Sequence, residues 1–184
     1  MVSKVVITGI GVLSGIGQDF ANFSAALAQG RNGIAPVQAF DTAPLAAHLG
    51  CEVPGDLSEG FAPASLRKLD RCSRLAMLAA RQAMAMAGLG DGDLDPMRVG
   101  VSLGTTLGGM IGATAYYERL RAGQGQHVGL LHDYPLYSAG ARIMQDHGFG
   151  GPNIAFSTAC SSGNVALGHG ADLIRHGRLD MVLA

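Results

Sequence analysis

Short apolar runs rich in β-branched residues alternate along the chain with longer stretches in which apolar positions recur every three or four residues. The short runs are typical of strands buried on both faces, and the longer stretches of helices with one apolar face. The pattern predicts strands at residues 4–8, 98–103, 154–157 and 180–184, and helices at residues 19–29, 65–87, 110–121, 137–147 and 162–176. Strands alternating with helices predict an α/β fold with a parallel or mostly parallel sheet.

Glycines mark the ends of several predicted elements. A glycine-rich turn at 9–17 follows the first strand, Gly30 ends the first helix and Gly177 ends the last one. Residues 31–62 show no periodicity and predict an irregular segment. The inward face of the last helix is predicted to carry Val165, Ala166, Ala171 and Ile174.

The last predicted strand, at residues 180–184, reaches the final residue of the sequence, and no turn or helix follows it. Parallel strands have apolar residues on both faces and need helices to cover them. We therefore expect the 184 residues to be part of a longer protein. A short edge strand at a natural C-terminus is the alternative.

The composition excludes several classes of protein. Hydrophobic residues make up 48% and charged residues 15%, as in a globular chain with a sizeable core. The net charge is −1 and the 13 basic residues are scattered, so no nucleic-acid partner is expected. The three cysteines form no C-x-x-C pair, and no apolar stretch reaches 18 residues. These features predict a protein with no zinc site, disulfide framework or membrane span, located in the cytoplasm.

Cys160 stands at a predicted junction between a strand and a helix. The sequence S-T-A-C-S-S-G at 157–163 places it just before the helix, where unpaired backbone amides and the helix dipole favour thiolate over thiol. A buried, inert cysteine is the usual alternative. That alternative fits Cys51, in the irregular segment, and Cys72, on an apolar helix stripe.

The S-T-A-C-S-S-G stretch strongly resembles the nucleophile motif of β-ketoacyl synthases. Four further stretches resemble this family in the same order: V-V-I-T-G-I-G-V-L-S at 5–14, R-V-G-V-S-L-G-T-T-L-G-G at 98–109, G-F-G-G-P-N at 148–153 and R-L-D-M-V-L-A at 178–184. The resemblance covers essentially the whole chain. It implies a single β-ketoacyl synthase N-terminal domain over residues 1–184, with the thiolase-like αβαβα layered fold and a mostly parallel mixed sheet.

The resemblance also implies the chemistry and its residues. Cys160 would take an acyl group from the phosphopantetheine arm of an acyl carrier protein. Malonyl-carrier protein would then be decarboxylated, and the carbanion would attack the Cys160 thioester. Metals and bound cofactors are not expected. The Cys160 N–H would supply half of an oxyanion hole, and strand 154–157 would pair with its mate in a homodimer or with a related condensing-enzyme subunit. The acyl pocket is expected to include Thr106, Leu107, Gly108, Ala159 and Ser162.

Some family features are missing from the sequence. The family's two histidine motifs, H-G-T-x-T and G-H-x-x-G, do not occur, so none of the six histidines is given a catalytic role. His169 lies nine residues beyond Cys160, which along a helix is about 13 Å and too far for contact. Residues 131–137 are more polar than is usual beside the acyl pocket, which leaves the substrate's length and the pathway, fatty acid or polyketide, open.

Two other functions remain as alternatives. The glycine-rich turn at 9–17 follows a strand, as in dinucleotide-binding oxidoreductases, but Ser14 breaks the G-x-G-x-x-G spacing. A non-catalytic dimerisation or chain-length partner of a condensing enzyme is the other alternative. Such subunits typically lack the nucleophile, whereas Cys160 is present.

Overall fold

Helices and short strands alternate in the computed structural model, which describes residues 4–89 and 92–184. The helices and strands within these residues are, in chain order, α1 (Phe20–Ala28), β1 (Ala35–Pro36), β2 (Leu49–Gly50), α2 (Pro63–Leu66), α3 (Arg71–Ala87), β3 (Val99–Gly104), α4 (Met110–Arg121), α5 (Ser138–His147), β4 (Asn153–Phe156), α6 (Ser162–Arg175) and β5 (Met181–Leu183). β1 and β2 pair as a small antiparallel hairpin inside the segment predicted to be irregular.

β3 is the central strand of a three-stranded parallel sheet. The sheet order is β4-β3-β5, with Val101 opposite Asn153 and Val99 opposite Met181. Val99 and Val101 are fully or almost fully buried, as expected for a strand with neighbours on both edges. The predicted α/β class with a parallel sheet is confirmed.

Helices cover the sheet on both faces. On one face α3 and α5 enclose a core formed by Leu69, Met77, Ala80, Val101 and Ile143. On the other face α6 lies against β3. β4 and β5 flank β3 on opposite sides, so crossovers of the same hand place their helices on opposite faces.

The prediction of one continuous helix at 65–87 is wrong in its first part, because a short non-helical segment separates α2 from α3. The Asp70 carboxylate accepts a hydrogen bond of 3.0 Å from the Cys72 N–H and thereby caps the start of α3. An N-cap residue has an extended backbone, and Asp70 has a ψ of 156°. A continuous helix is therefore impossible through this residue.

Residues 4–8 do not form the predicted doubly buried strand. The segment is irregular, and the side chains of Val6 and Ile7 are 71% and 75% exposed. The chain runs close to α3, where a Cβ on Gly9 would overlap the carbonyl group of Ala83. An apolar cleft of about 730 Å³ separates the segment from β5. Burial on both faces requires paired neighbours, and the described part of the chain provides none for this segment.

Of the four residues predicted on the inward face of α6, Ala166 is buried, Ala171 and Ile174 are partly buried, and Val165 is exposed. Ser162, Ala166 and Gly170 are buried at four-residue intervals, whereas Val165 is exposed. Small residues occupy this stripe because α6 packs closely on the sheet, and a Cβ on Gly170 would lie only 2.9 Å from the Val182 side chain. The prediction was therefore right at Ala166, wrong at Val165, and did not include the buried Ser162 and Gly170.

Candidate active site

The turns that follow β3 and β4 lie side by side at the carboxyl ends of the strands. The Thr105 N–H donates a 2.9 Å hydrogen bond to the Phe156 carbonyl, which joins the two turns. A Cβ on Gly104 would overlap the backbone of Ser162 and lie 2.5 Å from the Gly163 nitrogen, so no side chain separates β3 from the start of α6. In open parallel sheets, ligands bind outside the carboxyl ends of the strands.

Cys160 lies in the sharp turn between β4 and α6. β4 ends at Phe156, Cys160 is part of a short 3₁₀ turn, and the 14-residue helix α6 begins at Ser162. The residue before the cysteine, Ala159, has a φ of 51°, which is in the left-handed region. Residues other than glycine seldom adopt this conformation, and such strain clusters at functional sites. The predicted order of strand, cysteine and helix is confirmed, and Cys160 is exposed.

Hydroxyl groups hold the turn together. The buried Ser162 Oγ accepts a 2.9 Å hydrogen bond from the Thr158 N–H and donates a 2.7 Å bond to the Ala159 carbonyl. The exposed Ser161 hydroxyl donates instead to the Thr158 carbonyl, at 2.8 Å. The sequence placed Ser162 in the acyl pocket and missed these bonds. The run of small hydroxyl residues on both sides of Cys160 was the available signal.

The three cysteines occupy different environments. Cys51 and Cys160 are exposed, while Cys72 is partly buried at the start of α3. Burial, and secondly the negative charge of Asp70, raise the pKa of the Cys72 thiol above its ordinary value. Cys72 is therefore mostly a neutral thiol near neutral pH. Only Cys160 combines exposure with the amino end of a long helix.

The predicted pocket residues of the glycine turn are mostly open to solvent. Thr106 and Leu107 are exposed, the latter at 63%, and Gly108 has a φ of +52°. An apolar pocket of about 430 Å³ lies beside this turn on the α3 side. Gly108 lines it, but Leu107 and Cys160 do not. The structure thus joins the two turns, and the pocket beside them includes Gly108 but not Leu107.

A pair of aspartates, which the sequence analysis missed, anchors the helices around the glycine turn. Asp70 accepts a 2.9 Å hydrogen bond from the Gly112 N–H in α4. The buried Asp133 accepts from the Asp70 N–H at 2.9 Å and from the Arg142 Nε at 2.9 Å. These bonds tie α3, α4 and α5 together. The polar segment 131–137 is explained in part by this structural role of Asp133.

His169 belongs to the sheet side of α6 and not to the turn. Its ring lies 5.1 Å from the Phe156 ring, centroid to centroid, and its Nδ1 lies 3.5 Å from the Ser102 Oγ. Over residues 4–89 and 92–184, no hydrogen bond shown by the structure joins a histidine to Cys160.

No helix within residues 4–89 and 92–184 has both the length and the apolar character needed to cross a bilayer. Those residues also contain no cluster of three or more His, Cys, Asp or Glu side chains that would hold a metal ion.

Sequence comparisons find one family. The model of the β-ketoacyl synthase N-terminal domain matches residues 2–184. The chain is 35% identical over 189 residues to the tetracenomycin polyketide synthase ketoacyl synthase alpha subunit of Streptomyces glaucescens, covering 98% of this chain and 44% of that protein. It is 32% identical to the chloroplastic 3-oxoacyl-[acyl-carrier-protein] synthase I of Hordeum vulgare, covering 98% of this chain and 41% of that one. The chain thus spans less than half the length of these relatives.

Solved structures agree with the sequence relatives. The ishigamide ketosynthase/chain length factor superposes with a TM-score of 0.84 and 30% identity, over 95% of this chain and 44% of that one. A type II polyketide synthase acyl-carrier protein in complex with its ketosynthase, AntDE:AntF, gives a TM-score of 0.75 at 22% identity over 95% of this chain and 47% of that one, a likeness of fold alone. The layered α/β fold expected from the motifs is confirmed. Each of these proteins is named as a synthase or ketosynthase, which does not favour the dinucleotide-binding oxidoreductase alternative.

Proposed function

Because the chain belongs to the β-ketoacyl synthase family of fatty-acid and polyketide synthesis, we propose that Cys160 accepts the acyl group in a carbon–carbon condensation. One observation carries the proposal. The exposed Cys160 follows the left-handed Ala159 in the short turn between the parallel strand β4 and a 14-residue helix. Such a turn presents a nucleophile outside the sheet, within reach of a substrate.

The loading step is an acyl transfer between two sulfur atoms. The Cys160 thiolate attacks the carbonyl carbon of a phosphopantetheine thioester, and the carbonyl oxygen gains negative charge. Collapse of this intermediate forms the Cys160 thioester, and the pantetheine sulfur leaves and takes up a proton. The Cys160 N–H is the oxyanion donor that this segment supplies. The amino end of α6 favours the negative charge that develops on the carbonyl oxygen.

The second step requires groups beyond this set of residues. In the proposed reaction a malonyl-carrier thioester loses carbon dioxide, and the resulting carbanion attacks the carbonyl carbon of the Cys160 thioester. The product is longer by two carbons and Cys160 is released as a thiolate. The histidine motifs associated with decarboxylation are absent from this sequence. The proposal for residues 4–184 is therefore acyl loading, and condensation is proposed for a complete synthase that contains them.

An acyl carrier protein is the proposed partner and donor, and no bound cofactor or metal is proposed. In AntDE:AntF an acyl-carrier protein is in complex with its ketosynthase, which supports this class of partner. A second copy of the chain, or a related subunit, is proposed to pair along β4, because the described strands leave its outer edge unpaired. A homologous polyketide subunit and a homologous 3-oxoacyl synthase support both kinds of product.

Acylation of the purified chain tests the proposal. We expect hexanoyl-N-acetylcysteamine, a small mimic of the pantetheine thioester, to add one acyl group to the wild-type protein by intact mass, and peptide mapping to place it on Cys160. Cys160→Ala should abolish the adduct, whereas Cys51→Ala should retain it. A folded wild-type protein that gains no acyl mass, or gains it equally on Cys51, would contradict the loading role and favour a non-catalytic partner.

A further inference from the structure

The Ser162 hydroxyl bridges two backbone groups on either side of the strained residue. It accepts from the Thr158 N–H at 2.9 Å and donates to the Ala159 carbonyl at 2.7 Å. These two bonds span the backbone torsions of Thr158 and Ala159, including the left-handed φ of 51° at Ala159. The serine is buried, so water does not compete for its oxygen. Its hydroxyl is thus placed to hold the turn in its strained conformation.

One of these bonds acts on the peptide group of the nucleophile itself. The Ala159 carbonyl and the Cys160 N–H belong to the same planar peptide unit, so fixing the direction of the carbonyl fixes the direction of the N–H. A hydrogen bond donated to the carbonyl also polarises the unit and strengthens the N–H as a donor. The Ser161 hydroxyl binds the Thr158 carbonyl instead and does not contact this peptide unit.

We infer that Ser162 is a positioning residue that aims the Cys160 N–H at the thioester carbonyl oxygen during acyl transfer. The inference rests on the proposed loading of Cys160. It assigns Ser162 a role behind the nucleophile, in place of the pocket wall expected from the sequence. Ser162 acts through the Ala159–Cys160 peptide and does not touch the substrate.

The rates of two reactions at the Cys160 sulfur distinguish a role of Ser162 in positioning the Cys160 N–H from a role in stabilising the fold. Alkylation by iodoacetamide forms a carbon–sulfur bond and releases iodide, and no oxygen gains charge. Acylation by a thioester passes through an oxyanion. Loss of an oxyanion donor costs about 100- to 1,000-fold in rate, so misdirecting one is expected to cost at least about tenfold. A substitution that only loosened the turn would change both reactions together.

The test compares the two rates in Ser162→Ala and in Ser161→Ala. We expect Ser162→Ala to slow Cys160 acylation by hexanoyl-N-acetylcysteamine at least about tenfold more than it slows alkylation by iodoacetamide. Ser161→Ala removes a neighbouring hydroxyl and should change both rates by the same factor. Circular dichroism and thermal unfolding establish that each variant is folded.

If Ser162→Ala does not fold, a second variant that lacks the Ser162 hydroxyl can be used for the same comparison of rates. The double variant Ala159→Gly/Ser162→Ala adopts a positive φ without strain, because glycine has no Cβ. It should fold and show the same selective loss of acylation. If acylation and alkylation fall by equal factors in the folded variants, the positioning role is overturned. If wild-type Cys160 is not acylated at all, the loading proposal fails and this inference fails with it.

Discussion

Ala159 carries the strain of the turn, and its neighbours compensate for it. Its φ of 51° is one of two positive values among non-glycine residues in the described parts of the chain, the other being that of Leu57. For an L-residue this conformation costs roughly 1–2 kcal/mol. The turn keeps it because β4, α6 and the Ser162 hydroxyl fix both ends.

Replacing Ala159 by glycine should therefore stabilise the chain slightly. Relief of about 1–2 kcal/mol of strain outweighs the roughly 0.4–1 kcal/mol that glycine adds to the entropy of the unfolded chain. We expect Ala159→Gly to raise the free energy of unfolding by up to about 1.5 kcal/mol in urea titrations. The same change at Ala166, inside α6, should lower it by about 1 kcal/mol or more. A loss of stability in Ala159→Gly would show that the turn is not strained.

The cysteines should differ in their reaction with iodoacetamide. At pH 7 we expect Cys160 to be alkylated first, because it is exposed at the start of a long helix, and Cys72 last, because burial and Asp70 raise its pKa. Cys51 is equally exposed but lies outside any helix start, so it is the control for access alone. Peptide mapping over time measures all three. Equal rates at Cys51 and Cys160 would mean that access alone governs reactivity.

The residue types predicted Cys160 as the candidate nucleophile and its place between a strand and a helix, but not the backbone conformation of the turn. A cysteine between an apolar run and a helical pattern was readable from S-T-A-C-S-S-G. The left-handed backbone at Ala159 was not, because alanine normally avoids it and only tertiary contacts impose it. The exposure of Leu107 could not be predicted either, because the burial of a side chain depends on residues from other parts of the chain that pack around it.

At the scale of elements, periodicity located most of the sheet and its helices. β3, α4, α5, β4 and α6 begin and end within one or two residues of their predicted bounds, because their apolar patterns and glycine stops agree. The break between α2 and α3 was missed, since Asp70 reads as an ordinary polar position in a helix. Its role as a cap depends on a backbone conformation that the pattern does not contain.

The ion pair between α3 and α5 predicts a pH dependence of stability. Arg81 binds Asp146 through two hydrogen bonds of 2.7 Å, and chiefly through them holds the pKa of Asp146 below its ordinary value. A lowered carboxyl pKa in the folded state stabilises the protein above the unfolded value, near pH 4, and this gain is lost as the pH falls through the folded value.

Asp146→Asn should thus cost stability at pH 7, by about 1 kcal/mol or less for a partly exposed pair. The difference from wild type should shrink below about pH 4. Urea unfolding at pH 7 and pH 3 measures it. Asp172→Asn breaks an exposed pair with Arg175 within α6 and should have no measurable effect at either pH. A pH-independent cost for Asp146→Asn would mean that packing, and not charge, is responsible.

At the scale of the whole molecule, the first segment shows how far a local pattern can be trusted. Residues 4–8 have the composition of a buried strand, yet they lie across an apolar cleft from β5 with Val6 and Ile7 exposed. Strand formation needs a partner at about 4.8 Å, and composition does not say whether one is present. The same segment packs tightly against α3 at Gly9, so its path is set by helix contacts.

The unpaired outer edge of β4 allows a test of whether two copies of the chain pair along this strand. The Pro152 and Phe156 carbonyls accept hydrogen bonds from the Val101 and Thr105 N–H groups, so the alternate residue Ala155 directs its N–H to the outer edge. Ala155→Pro removes that donor without removing a bond to β3. If copies pair along β4, we expect this variant to shift light-scattering masses from dimer toward monomer, and Ala155→Val to remain dimeric. A dimer unaffected by proline would place the interface elsewhere.

The contact at Gly104 has a consequence for how such proteins diverge. Backbone meets backbone between β3 and the first turn of α6, so the position of the sulfur does not depend on the size of any intervening side chain. Side chains around the two turns can therefore change in size while Cys160 keeps its place. Under the proposed acyl loading, such changes would let related proteins accept different acyl groups with the same nucleophile.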